Sequence, residues 1–149
     1  MLSLAHTLIS LPLAAYLHHP LMIFFAAIIL HFLADTILHW NIFYDEYEHY
    51  PYTAISLDVL GGILAAYVIV GHSLPANSAI AAIAGGNAPD VLDGIWSLLK
   101  KTPARPLLAW LQPYFSFHDK LQHETYNKRA GLLTQAAAVS FAIILVLAA

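Results

Sequence analysis

The chain has 149 residues, of which 60% are hydrophobic and 10% charged, and its formal net charge is −3. This composition lies far outside that of a soluble globular domain and predicts one integral membrane domain, residues 1–149. The absence of cysteine excludes disulfides, thiolate zinc sites and iron–sulfur clusters. Any bound metal must therefore use His, Asp or Glu, and nine histidines are present. With only six basic residues, we expect no nucleic-acid partner.

Five apolar stretches are close to the length of about 17 to 25 residues that crosses a bilayer. In chain order they are Leu2–Leu17, Leu21–Trp40, Thr53–Val70, Asn77–Leu99 and Gly131–Ala148. The first lacks the basic region of a cleaved secretory signal, so we interpret it as a helix. It is short, and the fourth is interrupted, so either could instead be interfacial or re-entrant. The expected fold is all-α, a polytopic transmembrane bundle of about five helices.

The second stretch carries three ionisable side chains, His31, Asp35 and His39, at a spacing of four. On a helix, this spacing places all three on one face. An Asp near the bilayer centre costs about 2.5 to 3.5 kcal/mol, which makes such a row a functional-site hypothesis. Neutral imidazoles could bind a metal, with Asp35 bridging two ions or orienting an imidazole. Interhelical hydrogen bonding is the alternative.

The fourth stretch contains the segment Gly85–Asp93, which reads Gly-Gly-Asn-Ala-Pro-Asp-Val-Leu-Asp. Two glycines followed by Pro89 predict that the helix breaks between Gly85 and Pro89, with a new helix starting there. Asp90 and Asp93 would then lie in its first turn, where two carboxylates can jointly hold a divalent cation. The alternative is a simple helix cap.

All six basic residues lie in the connection 100–129, between the fourth and fifth stretches. The positive-inside bias predicts that this basic loop and the amino terminus are cytoplasmic. Lys100, Lys101 and Arg105 satisfy this topology, and they could also position a phosphate. The same loop supplies His118 and His123, which are weak candidates taken alone.

With this orientation, residues far apart in sequence converge on the cytoplasmic face. The expected metal ligands are His31, Asp35, His39, Asp90, Asp93, His118 and His123. His6 and Asp58, each a lone polar residue near a helix end, are supporting or alternate ligands. Asp35, Asp90 and Asp93 are the expected catalytic carboxylates, because one left off the metal could act as general base.

These motifs resemble those of the membrane-bound metal-dependent hydrolases, the family that includes inner-membrane hydrolases regulated by LexA. The matching elements are His6, the Gly85–Asp93 element, the pair His118 and His123, and His31 with Asp35. A more distant similarity is to zinc-dependent phospholipase C, which also uses His-x-x-x-Asp with a metal-bridging Asp. The resemblance implies metal-dependent hydrolysis, and the more distant similarity implies that a phosphoester is cleaved.

The function expected from the sequence is a membrane-embedded hydrolase holding one or two divalent ions, zinc or manganese. A site at the headgroup level favours a phosphoester or ester of a lipid-like or amphiphilic substrate, with membrane lipids as neighbours. One alternative is a small proton- or ion-coupled transporter, which also uses broken helices with intramembrane Asp and His. Others are a bis-His haem membrane protein and an inactive protein that keeps the polar cluster for packing.

Overall fold

The computed structural model describes residues 1–43, 46, 49–71, 73–99, 102–103, 106 and 109–149. These residues form six α-helices and no strand, so the fold is all-helical, as the sequence predicts. The helices are α1 (Ser3–Tyr16), α2 (Pro20–Asp35), α3 (Pro51–Val70), α4 (Ala76–Leu99), α5 (Gln112–Leu121) and α6 (Lys128–Leu147). A 3-10 turn, Ala109–Leu111, precedes α5. The basic side chains of Lys100, Lys101 and Arg105 lie outside the described residues.

Helix α1 lies at the centre of the bundle and packs against α2, α3, α4 and α6. Its residues 5–12 are all buried, including the polar side chains of His6, Thr7 and Ser10. One apolar cluster joins Ala5 and Ile9 of this helix to α2 and α6, and a second joins its Leu8 and Leu11 to α3 and α6. A polar residue on α1 is therefore held away from solvent by neighbours on several sides.

Two helices, α3 over Tyr52–Val70 and α6, are long and apolar enough to cross a membrane, with mean hydropathies of 2.0 and 2.2. The predicted bundle of five spans is not confirmed. Helices α1 and α2 have 14 and 16 residues, or about 21 and 24 Å at 1.5 Å per residue. Both fall short of the roughly 30 Å of a hydrocarbon core.

Helix α4 is continuous through Pro89, so the predicted break between Gly85 and Pro89 is wrong. The two glycines serve close packing instead. A Cβ at Gly85 would clash with the carbonyl oxygen of Phe24 on α2, and one at Gly86 with Ser10 on α1. Because neither glycine has a side chain, α4 can approach α1 and α2 closely. This approach places Asp90, one turn later on α4, beside both of these helices.

Helix α2 ends at Asp35, five residues before the predicted end of its apolar stretch. His39 is therefore not on the helical row with His31 and Asp35. The backbone after the helix pairs instead with the segment that follows α5: the N–H of His123 donates to the carbonyl of Asp35 at 2.9 Å, and that of His39 donates to the carbonyl of His123 at 3.1 Å. This pairing holds the end of α5 against the end of α2.

Candidate metal centre

The side chain of Asp35, at the carboxyl end of α2, lies at the centre of a buried group of imidazoles. It is 0% exposed, and the imidazoles around it come from α1, α2, α5 and the segment after α2. The distances from imidazole Nε2 to the nearest Asp35 oxygen are 3.1 Å for His6, 3.2 Å for His31, 3.8 Å for His39 and 3.1 Å for His118. Each of these histidines is at most 1% exposed.

Three of these rings are held from behind by an oxygen acceptor. Nδ1 of His31 donates to the carbonyl of Gly86 at 2.7 Å, and Nδ1 of His39 donates to the carbonyl of Ile37 at 2.8 Å. Nδ1 of His118 lies 2.5 Å from a carboxylate oxygen of Asp93. A carbonyl can only accept, so the Nδ1 proton of His31 and of His39 is assigned and each Nε2 presents a lone pair toward Asp35.

Two of the inward nitrogens crowd one another. The Nε2 atoms of His31 and His118 lie 3.1 Å apart, both close to Oδ2 of Asp35. Two facing lone pairs at this distance repel unless a proton or a metal cation lies between them. Neutral imidazole is the form that binds metals, and an oxygen acceptor on the other ring nitrogen is the usual arrangement behind such a ligand.

Other inward nitrogens have no hydrogen-bond partner among the described residues. Both ring nitrogens of His6 and the Nε2 of His39 are buried and have no such partner. His6 Nε2 is only 3.1 Å from Oδ1 of Asp35, but its alignment is not that of a hydrogen bond. An unsatisfied buried polar atom costs about 1 to 3 kcal/mol, and a ligand at the centre of the group would satisfy Nε2 of His6 and Nε2 of His39.

Asp90 of α4 contributes a second carboxylate on the open side of the group. Its oxygens lie 3.6 Å from Nε2 of His31, 3.8 Å from that of His6 and 3.9 Å from that of His118. His6, His31, Asp35 and Asp90 each offer a ligand atom, and these four atoms all lie within 4.8 Å of one another. This buried group could hold a metal ion.

The carboxylates set the charge of this centre. Burial alone would lower the pKa of His118, but hydrogen bonds to Asp35 and Asp93 and the charge of Asp90 raise that pKa to about 9. The amino group of Met1 also lies 2.8 Å from Oδ1 of Asp35. In the metal-free protein, a proton on His118 therefore partly balances the carboxylates, and a divalent cation would displace it.

Three other residues expected at the site take different places. Asp93 lies behind His118, where it accepts from the ring. His123 has an exposed side chain and contributes through its backbone, so its imidazole is not brought to the group. Asp58 of α3 accepts from the backbone N–H groups of Ser3 at 2.6 Å and Leu4 at 3.2 Å, and so caps α1.

Two amides that the sequence analysis did not select hold the helices around the centre. Asn87 of α4 donates to the hydroxyl of Thr7 at 3.0 Å and accepts from that of Ser3 at 2.5 Å, which ties α4 to α1. Gln135 of α6 is 3% exposed, accepts from the N–H of Leu2 and donates to the carbonyl of Trp40. For Gln135, the available sequence signal was a lone Gln within an apolar helix.

In comparisons with known proteins, no family model, no curated protein and no solved structure matches this chain.

Proposed function

We propose that this protein is a membrane-embedded metal-dependent hydrolase that cleaves a phosphoester or ester of an amphiphilic substrate. The observation that carries the proposal is the convergence of four imidazole Nε2 atoms on one fully buried carboxylate, Asp35. Structural packing alone would leave Nε2 of His6 and Nε2 of His39 without hydrogen-bond partners among the described residues. Borderline divalent cations, zinc or manganese, suit a donor set of imidazoles and carboxylates.

Two ions fit the distribution of donors better than one. Oδ1 of Asp35 is approached by His6 and His39, whereas Oδ2 is approached by His31 and His118. Asp90 points Oδ2 toward His6 and Oδ1 toward His31 and His118. Asp35 thus offers one oxygen to each of two pairs of imidazoles, Asp90 offers its oxygens to three of the four, and these are the residues that would hold two ions.

The exposure of each carboxylate determines whether it can meet the substrate and act as the general base. Bound divalent cations lower the pKa of a water toward about 7 and polarise a phosphoryl or acyl oxygen. Asp35 is fully buried, whereas the side chains of Asp90 and Asp93 are 32% and 24% exposed. Substrate can therefore reach the latter two, and the one of them that does not hold a metal ion would accept the proton from the attacking water.

The proposed setting is the inner membrane, with the amino terminus and the metal centre facing the cytoplasm. The lipid-facing surface is indicated by large apolar side chains left exposed on α3 and α6, such as Leu64, Val68, Leu133 and Phe141. All six basic residues belong to the connection 100–129, which also supplies His118 to the centre, and the positive-inside bias therefore favours a cytoplasmic orientation.

The transporter alternative loses its main support, because the expected break in α4 is not present. A bis-His haem would need two imidazoles facing each other across open space, whereas Asp35 lies among these rings.

Hydrolysis of bis(p-nitrophenyl) phosphate by the zinc- or manganese-loaded protein in lipid nanodiscs tests the proposal. The parent should release p-nitrophenol, a chelator should stop the release, and Asp35→Asn should have only the rate of the metal-free protein. Glu124→Gln is the matched control, because Glu124 is exposed and pairs with Asn41 outside the centre. A rate that is indifferent to both chelator and Asp35→Asn would overturn the proposal.

A further inference from the structure

A cleft of about 810 Å³ lies between α3 and α4 and reaches the candidate metal centre. It exists because α3 packs mainly against α1 and leaves a gap beside α4. Its volume is within the range of about 300 to 1,000 Å³ that is typical of ligand sites. Asp90 and Asp93 line it, so whatever occupies the cleft also reaches the carboxylates of the centre.

The cleft has both a polar and an apolar lining. Asp90, Asp93 and Gln122 line it where it reaches the centre, and Asp58 of α3 is a further carboxylate in its wall. The apolar lining from α3 is Ile55, Val59 and Ile63, and that from α4 includes Ile83 and Val91. The three α3 side chains are spaced by four and so form one stripe on the helix.

The apolar side chains of α3 also reach the side of the bundle. Val59 and Ile63 remain 37% and 46% exposed, and both belong to a helix with the length and composition of a membrane span. A hydrocarbon chain can therefore enter between these apolar side chains from the lipid. The carboxylates beside the centre, in contrast, fit a headgroup that binds divalent cations.

We infer that this cleft binds the hydrocarbon chain of a single amphiphile and places its hydrolysable headgroup against Asp90 and the metal centre. The inference deepens the proposed hydrolase function and rests on it for the identity of the headgroup. It assigns Ile55, Val59 and Ile63 as residues that determine the preference for chain-bearing substrates. Each buried methylene contributes to binding, so a long chain should bind at least about tenfold more tightly than a methyl group.

Photo-crosslinking tests the position of the chain without requiring catalysis. The probe is a dodecylphosphonate with a terminal diazirine, bound to the metal-loaded protein in nanodiscs and mapped by mass spectrometry. We expect adducts on the α3 stripe and the facing α4 residues, suppressed by excess dodecylphosphonate but not by methylphosphonate. Labelling of the same residues that excess dodecylphosphonate does not suppress would show ordinary lipid contact and would overturn the inference.

Two substitutions on α3 provide a matched comparison. Ile63→Trp fills the cleft and should reduce the suppressible labelling at least tenfold, with Val59→Trp as a second cleft-filling variant. Leu64→Trp adds the same ring beside it at a side chain that is 63% exposed and outside the cleft, and should leave the labelling unchanged. Equal labelling in Ile63→Trp, Val59→Trp and Leu64→Trp would overturn the inference.

The two proposals fail in different ways. Suppressible labelling of the cleft with no hydrolysis of dodecyl p-nitrophenyl phosphate would support the cleft as a chain-binding site and count against the hydrolase. Hydrolysis of methyl and dodecyl p-nitrophenyl phosphates with equal kcat/KM, with no cleft labelling, would support the hydrolase and overturn the chain-binding site.

Discussion

Nε2 of His118 lies 3.1 Å from Oδ2 of Asp35, although 83 residues separate the two in sequence. The contact joins the short helix α5 to the buried end of α2. It is reinforced by the backbone, because the N–H of His123 donates to the carbonyl of Asp35. The connection 100–129, which the sequence analysis treats as a loop, thus supplies a buried imidazole to the candidate centre.

Asp35→Asn should greatly reduce metal binding. The amide keeps the shape of the carboxylate but removes its charge and replaces one of the two oxygens on which the inward imidazoles converge with an NH2 group. We expect metal affinity to fall by about 100-fold or more, because even indirect partners of a metal ligand contribute 10- to 100-fold. Equilibrium dialysis with zinc measures this fall, and Glu124→Gln should bind as the parent does. Equal affinity in Asp35→Asn would contradict a role for this carboxylate.

Asp93→Asn should weaken metal binding by a smaller factor, about 10- to 100-fold, because Asp93 orients His118 rather than contacting the ion. The Asp93 carboxylate also helps to raise the pKa of His118 to about 9 in the metal-free protein. Its neutralisation should therefore lower that pKa, which NMR titration of the imidazole can measure. Weaker binding with an unchanged pKa would show that Asp93 acts only through packing.

Gly86→Ala should destabilise the bundle by about 1 to 3 kcal/mol, because a Cβ at this position would meet Ser10 and the carbonyl of His6. Gly94→Ala on the same helix is the control. A Cβ there has nothing within 4 Å, so the substitution should be neutral or stabilise α4 by up to about 1 kcal/mol. Denaturant unfolding in detergent compares the two variants. Equal stability would contradict the close approach of α4 to α1.

Asp58→Ala separates capping from metal binding. The Asp58 carboxylate accepts from two N–H groups at the start of α1, so its loss should cost about 0.5 to 2 kcal/mol of unfolding free energy. The number of metal ions bound per folded chain should not change. A loss of metal from folded Asp58→Ala protein would instead make Asp58 a ligand.

The sequence predicts which residues meet at the site better than it predicts the local backbone structure that carries them. Spacing and topology place His31, Asp35, Asp90 and His118 at one end of the bundle, and the structure brings these four together. They could be foreseen because charged side chains in apolar helices are restricted to few positions.

Other features depend on contacts between helices that no local pattern encodes. Gly85 and Gly86 looked like a helix break, yet they are sites of close approach, because α1 and α2 happen to cross there. Asp58, expected as a supporting or alternate ligand, caps α1, and no local pattern predicts this contact because Ser3 lies 55 residues earlier in the chain. His39 reaches Asp35 from an extended segment, and helical spacing could not predict that path.

Elemental analysis of the protein, purified without chelators and compared with Asp35→Asn, tests the central claim most directly. The arrangement of donors around Asp35 and Asp90 predicts about two zinc or manganese ions per chain in the parent and a stoichiometric loss in the variant. A parent that retains no stoichiometric metal, and binds none when zinc or manganese is added, would contradict the metal centre.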